Sequence, residues 1–295
     1  MYIPDGCSTL DMVNEPQIRL GLQGFSGVGK TWAALTFPNP LVLNLDKGLG
    51  AHFGKKEIAE VPIYTDEYCR KLYPSYKTLG DKKTVLEIWF DKVAPKLQED
   101  QTLIFDGGTG LQRIYHKWWE ANPALTKQGK VDDYGEWKFK INFFGTLFEQ
   151  VKSLKCNFVY ICHEAEKKDK DGQYSGKIRP LLTGQFCDEL VSHFTDWFRA
   201  HAIKKPVDFA TVKNETLKNF GCANIEAFKV ICNQFKNDTV YFWQTESDEL
   251  CDCKASSLID FPRFIPANYE SYKKYTKFDT ILPQGVTLKD VTLSS

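Results

Sequence analysis

The sequence predicts an α/β protein with a mostly parallel central sheet flanked by helices and closed by a C-terminal β-hairpin. Two observations carry this. Short apolar runs alternate with segments of helical periodicity, the signature of strands buried on both faces and joined by covering helices. The apolar runs also end in polar residues, Asp46, Asp106 and His163, which places functional groups along the carboxyl edge where open α/β sheets bind ligands.

Residues 1–16 read as an N-terminal arm. The run from Ile18 to Leu22 reads as a strand that enters a glycine-rich turn, followed by a helix over 30–37 that Pro38 and Pro40 stop. A buried strand is expected over 41–46. Val85, Ile88, Trp89, Val93 and Leu97 give helical spacing over 81–98, and a third strand occupies 103–106. Leu111, Ile114, Tyr115 and Trp118 mark a further helix, residues 137–154 another, and 157–162 a fourth strand. Residues 164–176 read as a charged, glycine-punctuated loop, 181–194 as helix-like and 198–203 as a strand. The expected organisation is a core over 17–204, an insertion or lid over 205–236, a hairpin over 237–260 built from strands 240–245 and 250–254, and a tail over 261–295.

The chain has 295 residues, 42% apolar and 14% aromatic, with 38 basic and 38 acidic side chains. This is a globular composition, and zero net charge excludes a whole-surface basic field, so any polyanion must meet a local patch. The N-terminus has the form of neither a signal peptide nor a membrane span, and the nine cysteines form no even framework. A cytoplasmic protein with reduced thiols and no membrane partner is expected, in a host cell if the chain is viral. Cys251 and Cys253 lie closer in sequence than usual structural zinc pairs, and Cys222 and Cys232 lie ten apart. Small apolar filler is the expected role for them.

The chemistry concentrates in Gly24-Phe25-Ser26-Gly27-Val28-Gly29-Lys30-Thr31, which fits G-x-x-x-x-G-K-[ST] at every position, with Trp32 following. Glycines let the backbone curl so that its N–H groups converge on phosphate oxygens. The lysine then reaches the β- and γ-phosphates, and the threonine hydroxyl ligates Mg²⁺. ATP and Mg²⁺ are therefore the expected cofactors. Asp106, at the tip of an apolar strand, is the expected second holder of the metal. Asp46 either orients the attacking water or caps a turn, and His163 stands where a γ-phosphate sensor would sit. The N-K-x-D motif of guanine recognition is absent, and residues 164–179 contain one arginine where a nucleotide-kinase lid needs several. A nucleotide-binding module that does not hydrolyse is the remaining alternative within the class.

With these motifs laid out, the chain resembles the RecA-like P-loop ATPases of bacteriophages, in particular single-strand annealing proteins of the Sak-four type. The likeness runs from Ile18 to about Ser257. It rests on the glycine loop, Leu41-Val-Leu-Asn-Leu-Asp-Lys-Gly48 and Thr102-Leu-Ile-Phe-Asp106, with Val159-Tyr-Ile-Cys-His-Glu164, Pro180-Leu-Leu-Thr-Gly184 and Lys254-Ala-Ser-Ser257 in the same order. The resemblance implies a RecA-like core, ATP binding, single-stranded DNA as partner, a homo-oligomer or filament, and a role in phage recombination or replication. It further implies that the loop after His163 meets DNA through Lys167, Lys168, Lys170, Lys177 and Arg179, with Tyr174 as a stacking surface. Glu164, Glu166, Asp169 and Asp171 nearly cancel that charge, so a solvated hairpin is the competing reading. Residues 269–277 are the next basic and aromatic segment. Gly48 stands where the family usually carries a catalytic glutamate, which hands the task to Asp46. Ser257 stands where an arginine is common, which leaves Lys254 as the one cation to offer a neighbouring subunit.

Overall fold

The structure is a computed structural model that describes residues 17–47, 49, 58–168, 172–182, 186–220, 222–235, 238–256 and 262–276. The arm over 1–16 and positions Gly48, Asp169, Lys170, Asp171 and Ser257 lie outside the described residues, as do the side chains of Lys168 and Tyr174.

In chain order the elements are β1 (Arg19–Gly24), α1 (Lys30–Ala34), β2 (Pro40–Asn44), β3 (Ala59–Val61), α2 (Asp66–Leu72), α3 (Lys82–Lys92), β4 (Thr102–Asp106), α4 (Gly108–Ala121) and α5 (Asp133–Lys152). There follow β5 (Asn157–Lys168), β6 (Tyr174–Pro180), α6 (Phe186–Glu189), β7 (Asp196–Lys204), α7 (Asn214–Asn219), α8 (Ile225–Asn233), β8 (Thr239–Gln244), β9 (Lys254–Ala255), β10 (Phe264–Pro266) and α9 (Tyr269–Tyr275). The sheet order is β10-β8-β7-β1-β5-β4-β2-β3, with β6 on β5 and β9 on β7. The strands β7, β1, β5, β4, β2 and β3 run parallel. A mixed α/β fold with a mostly parallel, helix-flanked sheet is thus present.

The parallel strands are apolar on both faces because both faces are covered. One face packs Leu43, Leu103, Phe105, Phe158 and Tyr160 against α3, α4 and α5. The other packs Leu20, Leu22, Val42, Ile104 and Val159 against α1 and the Tyr272 ring of α9. Pairing of Gly24 with His163, and of Asn44 with Asp106, brings the carboxyl ends of β1, β5, β2 and β4 to one edge.

Four expectations change. The helix after the glycine loop stops at Ala34, where Thr36 and Phe37 turn back onto the Ala33 and Ala34 carbonyls. The charged loop over 164–176 is largely strand: β5 continues past His163 and folds back on β6 as an antiparallel hairpin. The strands expected over 240–245 and 250–254 do not pair with each other. β8 instead lies between β7 and β10, while residues 254–255 pair with the start of β7. The partner of β8 therefore comes from the expected tail, because Phe264 to Pro266 supply a short edge strand. The segment 205–236 holds α7 and α8, which bury Leu217, Phe228 and Cys232 against Val240 and Phe242 of β8.

Candidate active site

At the carboxyl edge the turn after β1 opens a cleft of about 530 Å³, lined among others by Ser26, Gly29, Lys30, Thr31, Asp46, Asp106, His163 and Tyr241. Gly27 and Gly29 have φ of 81° and 80°, left-handed conformations that a side chain would strain. Gly29 is constrained again by space, since a Cβ there would lie 2.6 Å from the Tyr241 ring. Such a curled, glycine-rich run lets backbone N–H groups converge on an anion.

Lys30 is buried, and its Nζ donates to the Gly24 carbonyl at 2.7 Å and the Phe25 carbonyl at 2.6 Å. Burial pulls its pKa below the usual lysine range, opposed by Cys162, Glu164 and Asp106. The Thr31 hydroxyl donates toward both Asp106 carboxylate oxygens at 3.2 Å. Asp106 itself is pushed up to about 6, mainly by burial, with Thr31 and Lys30 opposing and Asp46 adding to the rise. Two carboxylates facing one cleft disfavour each other's ionisation, and a cation between them would relieve this.

Asp46 lies beyond the last residue of β2, against glycines that make room for it. A Cβ on Gly107 or Gly110 would collide with its carboxylate. Gly107 also has φ of 111°, which fixes the turn from β4 into α4. Arg113, in the second turn of α4, reaches Asp46 Oδ1 at 3.3 Å. Burial raises the Asp46 pKa, with Arg113 and His163 opposing. His163 lines the cleft and is held toward its neutral form by burial and by Lys30.

The structure therefore gathers Lys30, Thr31, Asp46, Asp106 and His163 in one cleft. The sequence had not pointed to Arg113, Tyr241 or a buried pair behind His163. There Arg199 of β7 donates from Nε to Glu164 Oε2 at 3.0 Å and from Nη2 to Oε1 at 2.9 Å. Glu164 is thus consumed inside the fold and does not offset the charge of the hairpin surface. Tyr241 and Trp32, with ring centroids 6.0 Å apart, form an aromatic wall of the cleft, backed by Phe235 at 5.6 Å from Trp32. Trp32 is expected from sequence as the last residue of the nucleotide-binding loop, and it lines the cleft. Tyr241 reaches the cleft only through the pairing of β8 with β7 and of β7 with β1, which local pattern does not show.

Other expected residues lie elsewhere. Lys167, Lys177 and Arg179 meet at a small depression of about 100 Å³ between the hairpin and residues 248–252, facing Asp248, Glu249 and Asp252. Glu166 accepts from the Gly176 N–H at 3.2 Å and so helps hold the hairpin. Lys254 is outside the cleft of its own chain. It pairs with Trp197 near the amino end of β7, and its Nζ donates to the Phe194 carbonyl at 2.5 Å. Residues 269–275 are not a free basic face: Tyr272 is buried, and Tyr269 packs on Phe37 at 5.0 Å. Lys277 lies outside the described residues. Cys222 and Cys232 fill the small cluster beneath β8, and Cys251 accepts from Gln23 Nε2 at 2.7 Å.

A phosphate-gripping loop on a parallel sheet, with a lysine, a threonine and a strand-end aspartate converging on one cleft, defines a P-loop ATPase. A family model described as an AAA domain matches residues 17–219, and the chain belongs to that family. No curated protein matches the sequence. Among solved structures, it is similar to the ATPase EscN, solved with its stalk EscO from the enteropathogenic E. coli type III secretion system. The identity is 12% and the TM-score 0.32, over 62% of this chain and 42% of that one. A prototypical ATPase from the type III secretion system of pathogenic bacteria gives 14% and 0.31, over 71% and 55%. The flagellar accessory protein FlaH from Methanocaldococcus jannaschii gives 12% and 0.28, over 65% and 76%. The chain spans about half the length of the first two. At such scores the three share too little geometry with it for residue-by-residue correspondence.

Among the described residues no helix is long and apolar enough to cross a membrane.

Proposed function

We propose that this ATPase acts on single-stranded DNA, in phage recombination or replication of the strand-annealing kind, with ATP and Mg²⁺ as its cofactors. One observation carries the reading: the strand that ends its core course at His163 in the cleft continues without a break into the β5–β6 hairpin bearing Lys167, Lys177 and Arg179. A change at the γ-phosphate position thereby has a covalent path to a basic surface.

The site residues fit the assigned chemistry. Lys30 neutralises charge on the β- and γ-phosphates, and the loop N–H groups orient them. The Thr31 hydroxyl and the Asp106 carboxylate form an all-oxygen donor set suited to Mg²⁺. When bound, that ion supplies charge neutralisation at the phosphates. Asp46 is assigned to orient the attacking water, and its contact with Arg113 opposes the rise that burial imposes on its pKa. The aromatic wall of Trp32 and Tyr241 would receive the base.

A second reading, a nucleotide-dependent switch or accessory protein without DNA contact, draws on Asp248, Glu249 and Asp252 facing the hairpin lysines. The two separate by measuring ATPase rate with and without single-stranded oligonucleotide. Stimulation supports the DNA reading. Equal rates, with no measurable oligonucleotide affinity in any nucleotide state, favour the switch. Substituting Lys167, Lys177 and Arg179 with alanine should weaken oligonucleotide binding and flatten its salt dependence by roughly 0.7 per lost contact.

A further inference from the structure

Ten large apolar side chains stand exposed among the described residues, and five of them fall in one short stretch: Leu125, Val131, Tyr134, Trp137 and Phe139. The fold does not require the most exposed of these. Helix α5 already buries Phe144, Leu147, Phe148 and Val151 against the sheet. Tyr134 and Trp137 lie three residues apart and so on one side of the helix, 71% and 38% exposed, with ring centroids 5.8 Å apart. Phe139 differs, for it stacks on Trp118 at 5.0 Å and 9° and ties the start of α5 to α4.

The same short segment, closed on itself by the Leu125–Val131 bridge, carries Lys127, Lys130 and Lys138, all exposed and with no ion pair among the described residues. The first two flank a turn closed by the Thr126 N–H donating to the Lys130 carbonyl at 2.8 Å. Two nearby acids have partners of their own. Asp132 caps α5 by accepting from the Gly135 N–H at 2.9 Å, and Glu136 faces His116 at 3.6 Å. The result is a pair of open aromatic faces on a segment that also presents three exposed lysines. The surface is also close to the chemistry: α4 starts just after Asp106 and Gly107, Arg113 on it touches Asp46, and His116 one turn further meets Glu136.

We propose that the surface over residues 125–139 is a docking site for single-stranded polynucleotide, with Tyr134 and Trp137 stacking on bases and the three lysines on phosphates. Exposed rings interleaved in sequence with exposed lysines match a strand whose bases are unstacked and whose backbone is anionic. A duplex keeps its base faces covered and offers only the charge. The site is separate from the β5–β6 hairpin and shares with the proposed function only the class of partner.

The test is oligonucleotide affinity of the full chain with an ATP analogue, using matched oligodeoxythymidine and oligouridine, a blunt duplex and a salt series. The Tyr134→Ala/Trp137→Ala variant is expected to lose about tenfold or more, since each stacked base contributes that order, whereas Tyr134→Phe/Trp137→Phe keeps the rings and the affinity. Alanine at Lys127, Lys130 and Lys138 is expected to flatten the salt slope by about two for the three lost phosphate contacts. Unaltered melting temperature and ATP affinity show that the variants fold. The DNA and RNA arms identify which strand is preferred.

Wild-type affinity in the alanine variants, or a duplex competing as well as a single strand, overturns the proposal. So does self-association that the ring variant abolishes while oligonucleotide affinity stays constant. If only substitution of Lys167, Lys177 and Arg179 weakens binding, this site fails while the DNA reading stands. If the wild-type protein binds no oligonucleotide at all, both fail.

Discussion

Lys30 has two protein carbonyls as partners and lies buried in the floor of the cleft, so its ammonium is held in place for phosphate oxygens. Lys30→Ala removes that charge and should abolish tight ATP binding, as read by titration calorimetry, while circular dichroism shows a folded chain. Asp106 carries a cost visible in the pH dependence. Its folded pKa, near 6, lies above its ordinary value, so the folded state holds the proton more tightly. The stability this proton gives is complete below about pH 4 and is lost as pH rises through about 6, on the order of 3 kcal/mol in total. Asp106→Asn should therefore raise the melting temperature of the nucleotide-free protein at pH 7, flatten its change between pH 4 and 6, and abolish turnover. A variant that melts lower at pH 7 would refute the burial account. Asp46→Asn separates its two roles: a water-orienting carboxylate predicts a lower kcat with nucleotide affinity little changed, and an unaltered kcat would return Asp46 to a turn residue.

At the scale of elements, legibility followed sequence distance. β1, β2, β4 and the core of β5 were readable because each is a continuous apolar run ended by turn residues or a polar tip, so Asp46, Asp106 and His163 could be assigned to one edge before any pairing was known. Tyr241, Arg113 and the Glu164–Arg199 pair were not readable. Each owes its place to the register of strands or the direction of a helix, which local pattern does not encode. The same limit hid the β8–β10 pairing. Phe264 to Pro266 is too short to announce a strand, and it forms one because β8 presents an open edge. Helix α9 holds this edge. The buried Tyr272 donates its hydroxyl to the fully buried Asp196 carboxylate at 2.5 Å, joining the expected tail to the start of β7. Tyr272→Phe keeps the ring and removes one donor to a buried carboxyl group, and should cost about 0.5–1.5 kcal/mol in denaturant unfolding. A cost near zero would mean that α9 packs without anchoring the sheet.

Across the whole molecule, the cleft occupies one edge of the sheet while the start of β7, with Asp196, Trp197 and the strap β9, lies toward the opposite end. This bears on whether a neighbouring copy completes the site. Lys254 is the cation that the family resemblance would offer in trans, yet its ammonium already donates to the Phe194 carbonyl, and its strand pairs at Trp197. To serve a neighbour it must give up that bond, and a hydrogen bond from a charged donor is worth about 1.5–3 kcal/mol where it is shielded. We expect Lys254→Ala to lower stability by an amount in or below that range and to leave turnover per folded site unchanged. Mixing Lys254→Ala subunits with Lys30→Ala subunits then gives no gain over the sum of the separate activities. The opposite result, activity that rises in verified mixed oligomers with the product of the two subunit fractions, requires a site built from Lys30 of one copy and Lys254 of the next. It would mean that assembly pulls β9 away from Phe194, so the same mixture should expose the amide of residue 256, which now donates to the Thr195 carbonyl at 3.3 Å, to hydrogen exchange.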